Sequence, residues 1–370
     1  MHHDFVSQSP ERVRSGIGSV NTLAEEVDKV GGKRALIITG NSLSNKTDLV
    51  NRLKNILGDR CAGVFDEAKQ HVLKRSVMDA LQMTKDCKAD TLISFGGGSP
   101  NDTMKMVTHL LIEEGENALP NIAIPTTLSA GEFTFACGMT DEETRVKTVY
   151  GFHPALLAKA VILDPEVTIE TPDWLWGASG MRAVDHAIEA IWAPNHHPIT
   201  TLMALDALRE LHQCLASSRR RDALELRLRC QHAAWMSIFG LLNLGLRLTH
   251  PIGHQLGARF DIPHGVTSCI SLPVSMRLLY ERTTAAQELM AEALGVKGDT
   301  HAESAKAAAD AVTKMVLDLG LPSRLSETTA IEKELPELAN EISKELKEFQ
   351  SPDADFATPD VLLKLLREAW

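Results

Sequence analysis

The apolar residues of this chain change their spacing near its middle. In the first half they come as short continuous runs: Ala35–Thr39 (ALIIT), Thr91–Phe95 (TLISF), Asn121–Pro125 (NIAIP) and Ala160–Asp164 (AVILD). Runs of this length, rich in β-branched residues and closed by glycine or proline, predict strands buried on both faces. Between the first two, Leu49, Leu53 and Ile56 recur at helical spacing. Apolar strands alternating with helices predict a parallel sheet covered on both sides.

After Asp164-Pro165 helical spacing takes over, as in Leu202–Leu215, Leu224–Leu246 and Ser304–Leu319. The pattern predicts an α/β, Rossmann-like domain over residues 1–165 and an all-α domain over 166–370. Residues 327–355 are acidic and read as solvated helices and loops. Residues 361–370 close with an apolar stripe expected to pack back onto the body.

Composition agrees with two domains. The chain has 370 residues, beyond the roughly 250–300 at which a single core stops growing. Hydrophobic residues make up 44% and charged residues 24%, as in a soluble globular protein. A net charge of −11 argues against a nucleic-acid partner, but leaves room for a small anion in a local basic pocket. Residues 1–10 are polar, and no run approaches the ~20 apolar residues of a membrane helix. A cytoplasmic protein without a membrane partner is expected. Cys61, Cys87, Cys137, Cys214, Cys230 and Cys269 form no CxxC pair and are expected to be reduced thiols.

Two groups of residues carry chemistry. The first is Phe95-Gly96-Gly97-Gly98-Ser99-Pro100-Asn101-Asp102-Thr103-Met104-Lys105, leaving a strand and opening a helix. Glycines admit a phosphate close to the backbone, and the amides at a helix N-terminus favour an anion. It is not the G-x-G-x-x-G fingerprint, and three glycines alone also suit a plain turn. The second is a set of histidines: His186, His250, His254 and His264. His250 and His254, four residues apart, share a face if that segment is helical.

The glycine segment resembles, in full, the GGGSxxDxxK cofactor loop of the iron-containing alcohol dehydrogenase superfamily. Ile124-Pro125-Thr126-Thr127 resembles its IPTT segment, and Asp164-Pro165-Glu166 its domain junction. The resemblance runs from about Leu36 to Trp370. It implies the dehydroquinate synthase-like fold and an NAD(H)- or NADP(H)-dependent oxidoreductase. Gly40, Gly96, Gly97, Gly98, Ser99, Asp102, Thr126, Thr127 and Lys147 would face the cofactor. Relatives carry an acidic residue near Gly40 that binds the adenosine ribose, so its absence implies that NADPH is accepted. A glycine that only makes a turn is the other reading. Homodimers are expected, since they are common in the superfamily.

The histidines match the superfamily frame D-x3-H, then H-x3-H-x9-H, in which the aspartate and three histidines hold a metal. The positions here are Arg182, His186, His250 and His264, with His254 as the inner, non-ligand histidine. Any bound metal would therefore rest on His186, His250 and His264. Arginine is always charged and offers no lone pair, so the metal is expected to be absent. Asp185 either substitutes as a ligand or pairs with Arg182 three residues away.

The metal-independent maleylacetate reductases, which reduce maleylacetate to 3-oxoadipate, are the branch this chain resembles further. The matching residues are Val64-Phe65-Asp66 through His71, Ser179-Gly180-Met181, Ala187-x-Glu189-Ala190 and Phe260–His264. That branch has Asn at position 182 and PHAETH where this chain has Pro263-His264-Gly265-Val266-Thr267-Ser268. Its loop near Tyr150-Gly151-Phe152 is one residue shorter. The resemblance implies hydride transfer to a carbonyl or activated C=C of a small molecule. Arg182, His186, His250 and His264 would stabilise charge, and His254 would relay the proton. Arg182 either holds a substrate carboxylate or only pairs with Asp185. The alternatives are an Fe- or Zn-dependent alcohol dehydrogenase, a lyase or other non-redox enzyme on the same fold, and a homologue that only binds cofactor.

Overall fold

The computed structural model describes residues 5–7, 9–143, 147–150 and 153–370. The chain forms an α/β unit, Ser7–Thr171 with Arg221–Gln231, and a helical unit, Pro172–Arg220 with His232–Trp370.

The α/β unit contains strands β1 (Arg12–Ser15), β2 (Ala35–Thr39), β3 (Cys61–Phe65), β4 (Thr91–Gly96), β5 (Asn121–Pro125), β6 (Cys137–Thr140), β7 (Lys147–Tyr150) and β8 (Ala160–Leu163). Six of them form one parallel sheet in the order β1-β8-β5-β4-β2-β3. Its helices are α1 (Leu23–Lys29), α2 (Asn41–Lys46), α3 (Leu49–Leu57), α4 (Lys74–Asp86) and α5 (Gly98–Glu113). Alternation along β2 explains the layering. Ala35 and Ile37 pack with Val20, Leu23, Val27, Val50, Leu53 and Leu57 of α1, α3 and the turn before α1. Leu36 and Ile38 point the other way, to Ala80, Leu81, Met104, Val107 and Leu111 of α4 and α5. All five residues of β2 are buried, as a strand covered on both faces must be.

β1 and β3 are absent from the apolar reading because their sequences are polar or small. In β1, Arg12 and Arg14 each donate to the Glu26 carboxylate, at 2.7 and 2.8 Å, so an edge strand carries charge. β6 and β7 form a separate antiparallel ribbon.

The strand order places a switch point between β2 and β4. From β2 the chain moves outward to β3; it then returns to β4 on the other side of β2 and continues to β5. Ligands of such sheets bind at the carboxyl ends of strands where the direction reverses. Gly40 follows β2 and Gly97 follows β4.

The helical unit contains α6 (Asp173–Trp192), α7 (Pro198–Cys214), the end of α8 (Leu224–Ile238), α9 (Thr249–Phe260), α10 (His264–Leu278), α11 (Tyr280–Ala293), α12 (His301–Asp318), α13 (Leu335–Glu348) and α14 (Pro359–Glu368). No helix among the described residues is long and apolar enough to cross a membrane. α6 is the axis: from Trp176 to Trp192 all but Arg182 are buried, and α7 and α10 pack against it. The helical run expected to reach Leu246 stops at Ile238, because Gly240 takes a left-handed φ of 73° and redirects the chain. The acidic tail also differs from expectation. In α13, Leu335, Leu338, Ala339, Ile342 and Leu346 make a buried stripe against α9. Its acids occupy the other face, apart from the buried Glu345, so composition hid an amphipathic helix.

Candidate active site

The glycine segment folds as expected, with β4 ending at Gly96 and α5 beginning at Gly98. Gly96 has φ 141°, and its carbonyl accepts from Thr126 N at 2.9 Å, tying the loop to the segment after β5. Gly97 is the N-cap of α5 and provides no side-chain cap, so the first-turn amides keep their capacity for an anion. A Cβ on Gly97 would lie 3.1 Å from Thr127 Cγ2, which explains the absence of a side chain there. Thr127 Oγ1 in turn lies 3.2 Å from Ser129 Oγ. Asn101 is buried and its Nδ2 has no hydrogen-bond partner among the described residues, so a donor waits beside the loop. Open amides, a missing Cβ and an unsatisfied donor suit a dinucleotide phosphate.

Lys105 has a different role from the loop's amides. It is fully buried and donates to Gly131 O (2.6 Å), Thr134 Oγ1 (3.1 Å) and Ala136 O (3.0 Å). All three ammonium hydrogens are used, so it clamps the strand-following loops together. Burial pushes its pKa down, and Asp102, 3.9 Å away, partly offsets this. Burial likewise pushes the neighbouring Glu132 carboxyl up to about 7.

Gly40 is extended, at φ −97° and ψ 152°, a conformation open to any residue. A Cβ there would meet only Ala68 O, at 3.7 Å. The turn therefore does not require glycine. Lys147 lies in β7, but its side chain, like Gly151 and Phe152 of the longer loop, falls outside the described residues.

In the helical unit, Arg182, Asp185, His186 and Glu189 stand at i, i+3, i+4 and i+7 on one face of α6. The His186 and His250 rings stack with centroids 5.6 Å apart. His254 stands edge-on to His250 at 6.4 Å and to His264 at 5.8 Å. The four rings thus form a chain across α6, α9 and α10. Gly265 permits this approach: a Cβ on it would sit 2.3 Å from the Ala178 carbonyl oxygen of α6.

Arg182 pairs with Asp185, Nη1 donating to Oδ2 at 2.8 Å and to Ser268 Oγ at 3.3 Å. Ser268 donates to the same Oδ2 at 2.7 Å, and Thr249 Oγ1 lies 2.6 Å from Asp185 Oδ1. Nε and Nη2 of Arg182 make no hydrogen bond among the described residues. The pair therefore occupies one nitrogen and leaves the two-nitrogen edge of the guanidinium open. Burial drives the pKa of His186 and of His250 well below 6.5, and the Arg182 charge lowers both further. Both rings are neutral near pH 7, and each has a buried Nδ1 without a hydrogen-bond partner among the described residues.

The residues able to gather around a cation are Asp185, Glu189 and His250, whose ligand atoms lie within 4.8 Å of one another. This set shares only His250 with the expected trio of His186, His250 and His264. Its carboxylates are already engaged. Glu189 Oε2 accepts from Trp192 Nε1 (3.0 Å) and Arg247 N (2.8 Å), while Oε1 meets the Thr249 hydroxyl. Both Asp185 oxygens have the donors described above. A metal would have to displace these donors beside a guanidinium, so the donor set does not fit one.

Sequence reading missed Glu189, Thr249, Ser268 and Glu345. Helical spacing from His186 could have found Glu189. Glu345 has no local signal: it comes from the acidic tail, and its Oε1 lies 2.7 Å from His254 Nδ1.

Comparison with known proteins agrees with these features. Residues 10–165 match the family described as iron-containing alcohol dehydrogenase, and residues 177–370 match the C-terminal domain of the Fe-containing alcohol dehydrogenase family. Maleylacetate reductase 2 of Cupriavidus pinatubonensis is 34% identical over 275 residues, 73% of each chain. The 1,3-propanediol dehydrogenase of Klebsiella pneumoniae is 30% identical over 363 residues, covering 91% of this chain and 92% of its own. The crystal structure of maleylacetate reductase from Rhizobium sp. superposes with a TM-score of 0.83 at 26% identity, covering 100% of this chain and 99% of that one.

Proposed function

Because this chain belongs to the iron-containing alcohol dehydrogenase family and is an oxidoreductase, we propose that it reduces the carbonyl or activated C=C of a small carboxylate-bearing substrate, using NAD(P)H and no metal. One observation carries this reading. The position that the family frame gives to an anionic metal ligand holds Arg182, anchored through a single nitrogen to Asp185 and open along its Nε–Nη2 edge.

When bound, a reduced nicotinamide supplies hydride. The β4–α5 loop holds its phosphates with backbone amides, and Asn101 and Thr127 line the approach. In the helical unit, the open edge of Arg182 accepts a carboxylate or the developing oxyanion in bidentate fashion. Neutral His186 and His250 offer uncharged N–H donors, which compete little with Arg182 for the anion. His264 extends the chain of rings, and His254, whose side chain is 31% exposed, exchanges protons with water. Gly40 leaves room for a 2′-phosphate, so both NADH and NADPH are accepted. The protein is expected to act in the cytoplasm as a homodimer.

The test is an NAD(P)H oxidation screen paired with metal analysis. Maleylacetate comes first, then other oxo acids, each beside the matching ketone without a carboxylate. Turnover of the acids by metal-free enzyme supports the reading. A stoichiometric ion whose removal by a chelator abolishes turnover overturns the metal-free part. The second reading is a metal-dependent alcohol dehydrogenase, favoured by the propanediol dehydrogenase relative. Arg182→Asp separates the two. Under the first reading it loses oxo-acid reduction and gains metal-dependent alcohol oxidation.

A further inference from the structure

Glu345 reaches the histidine cluster from α13, an element that carries none of the motifs named above. Its side chain is 10% exposed, in a helix whose other acids face elsewhere. Glu334, Glu337 and Glu341 turn to Arg259, at 3.2, 2.9 and 2.9 Å. Glu345 alone among these acids turns to His254, with Oε1 at 2.7 Å from Nδ1. Its second oxygen accepts from Gln255 Nε2 at 2.6 Å, so the carboxylate is held at both ends. A carboxylate accepts only, so the nitrogen facing it carries the hydrogen. His254 Nε2 makes no hydrogen bond among the described residues, and its side chain is 31% exposed. The other titratable groups facing His254 are His250, on its own helix, and His264, from α10.

We infer that Glu345 is a positioning residue, fixing His254 through Nδ1–H so that Nε2 is the nitrogen that transfers the proton of the reaction. This rests on the function proposed above. With a reduced nicotinamide bound, the carbonyl carbon would gain hydride from it and the π pair would move to oxygen. That oxygen takes the Nε2 proton of the doubly protonated ring, and the N–H electron pair stays on Nε2, leaving the neutral ring with its hydrogen on Nδ1. The carbonyl is reduced, the nicotinamide is oxidised, and water restores the Nε2 proton through the exposed side of His254. Throughout, the Nδ1–H bond to Glu345 keeps the ring in one tautomer and orientation.

Two variants and two readouts test this. Glu345→Leu removes acceptor and charge; Glu345→Gln keeps an acceptor and the size. In steady-state NAD(P)H kinetics, kcat falls about 10-fold or more in Glu345→Leu with KM nearly unchanged. Glu345→Gln lies between Leu and wild type, and Glu345→Asp restores part of the loss. In ¹⁵N spectra of the imidazole form, the His254 hydrogen sits on Nδ1 in wild type and spreads over both nitrogens in Glu345→Leu. An unchanged spectrum in a folded Glu345→Leu protein overturns the inference, as does an unchanged kcat where His254→Ala is impaired. A wild-type enzyme without NAD(P)H turnover sinks the reading of function instead, and the spectra then decide the role of Glu345.

Discussion

Asp185 grips the Arg182 guanidinium by Nη1 alone, at 2.8 Å, from one turn further along the same helix. That single contact reconciles two roles that appear exclusive in the sequence. An arginine spent on an intramolecular pair would have nothing to offer a substrate, and an unanchored one would be poorly placed. Here the anchor fixes the plane of the fork and leaves its paired edge open.

Asp185 is fully buried and the Arg182 side chain is 12% exposed, so each partner depends on the other. Arg182→Leu leaves the Asp185 carboxylate uncompensated and is expected to cost about 3–5 kcal/mol. Asp185→Leu costs a similar amount, and the double variant much less than the sum of the two. Urea unfolding of the four proteins checks this; additive losses would mean that the two side chains do not interact.

Stability is expected to fall on the acid side. His186 and His250 have folded pKa values depressed below 6.5 by burial and by Arg182. As the pH drops below about 6.5 the unfolded chain takes up protons that the folded chain refuses. The stabilising contribution is therefore complete above that pH and is lost progressively below it. Each histidine adds at most about 1.4 kcal/mol per pH unit to the slope. Urea midpoints at pH 8, 6.5 and 5.5 should show the fall, with a shallower slope in His186→Asn and His250→Asn. Equal slopes in all three proteins would refute it.

Gly40→Asp should be tolerated, because the backbone is extended and a Cβ meets only Ala68 O at 3.7 Å. A carboxylate at the end of β2 favours a ribose hydroxyl and repels a 2′-phosphate. The expected outcome is a shift of kcat/KM toward NADH of about 10-fold or more, with an unchanged melting temperature. Strict NADH use by the wild-type enzyme would remove the basis for the comparison and refute the role assigned to Gly40.

Much of this architecture was legible in the chain, for definable reasons. The runs at Ala35, Thr91, Asn121 and Ala160 are central strands covered on both faces, so burial wrote them as unbroken apolar segments. β1 and β3 were not legible, because edge strands are held by charge and by small residues. The glycine loop and His250/His254 could be read because backbone freedom and helical spacing are local properties. Ser268 and Glu345 could not. They reach their partners Asp185 and His254 across 83 and 91 residues of chain, and only packing brings them there. The acids of α13 also disguised their own apolar stripe.

Gly265 gives the site a direction in sequence space. A single methyl at this position would press to 2.3 Å of the Ala178 carbonyl, so α10 can hold its present distance from α6 only while the residue has no side chain. Ser268 lies one turn further along α10 and shares Asp185 with Arg182. An alanine at 265 would fit only if the helix retreated, and the retreat would take Ser268 with it. The spacing of α10 from α6 and the Arg182–Asp185 contact thus depend on the same residue, and a side chain at 265 would loosen both.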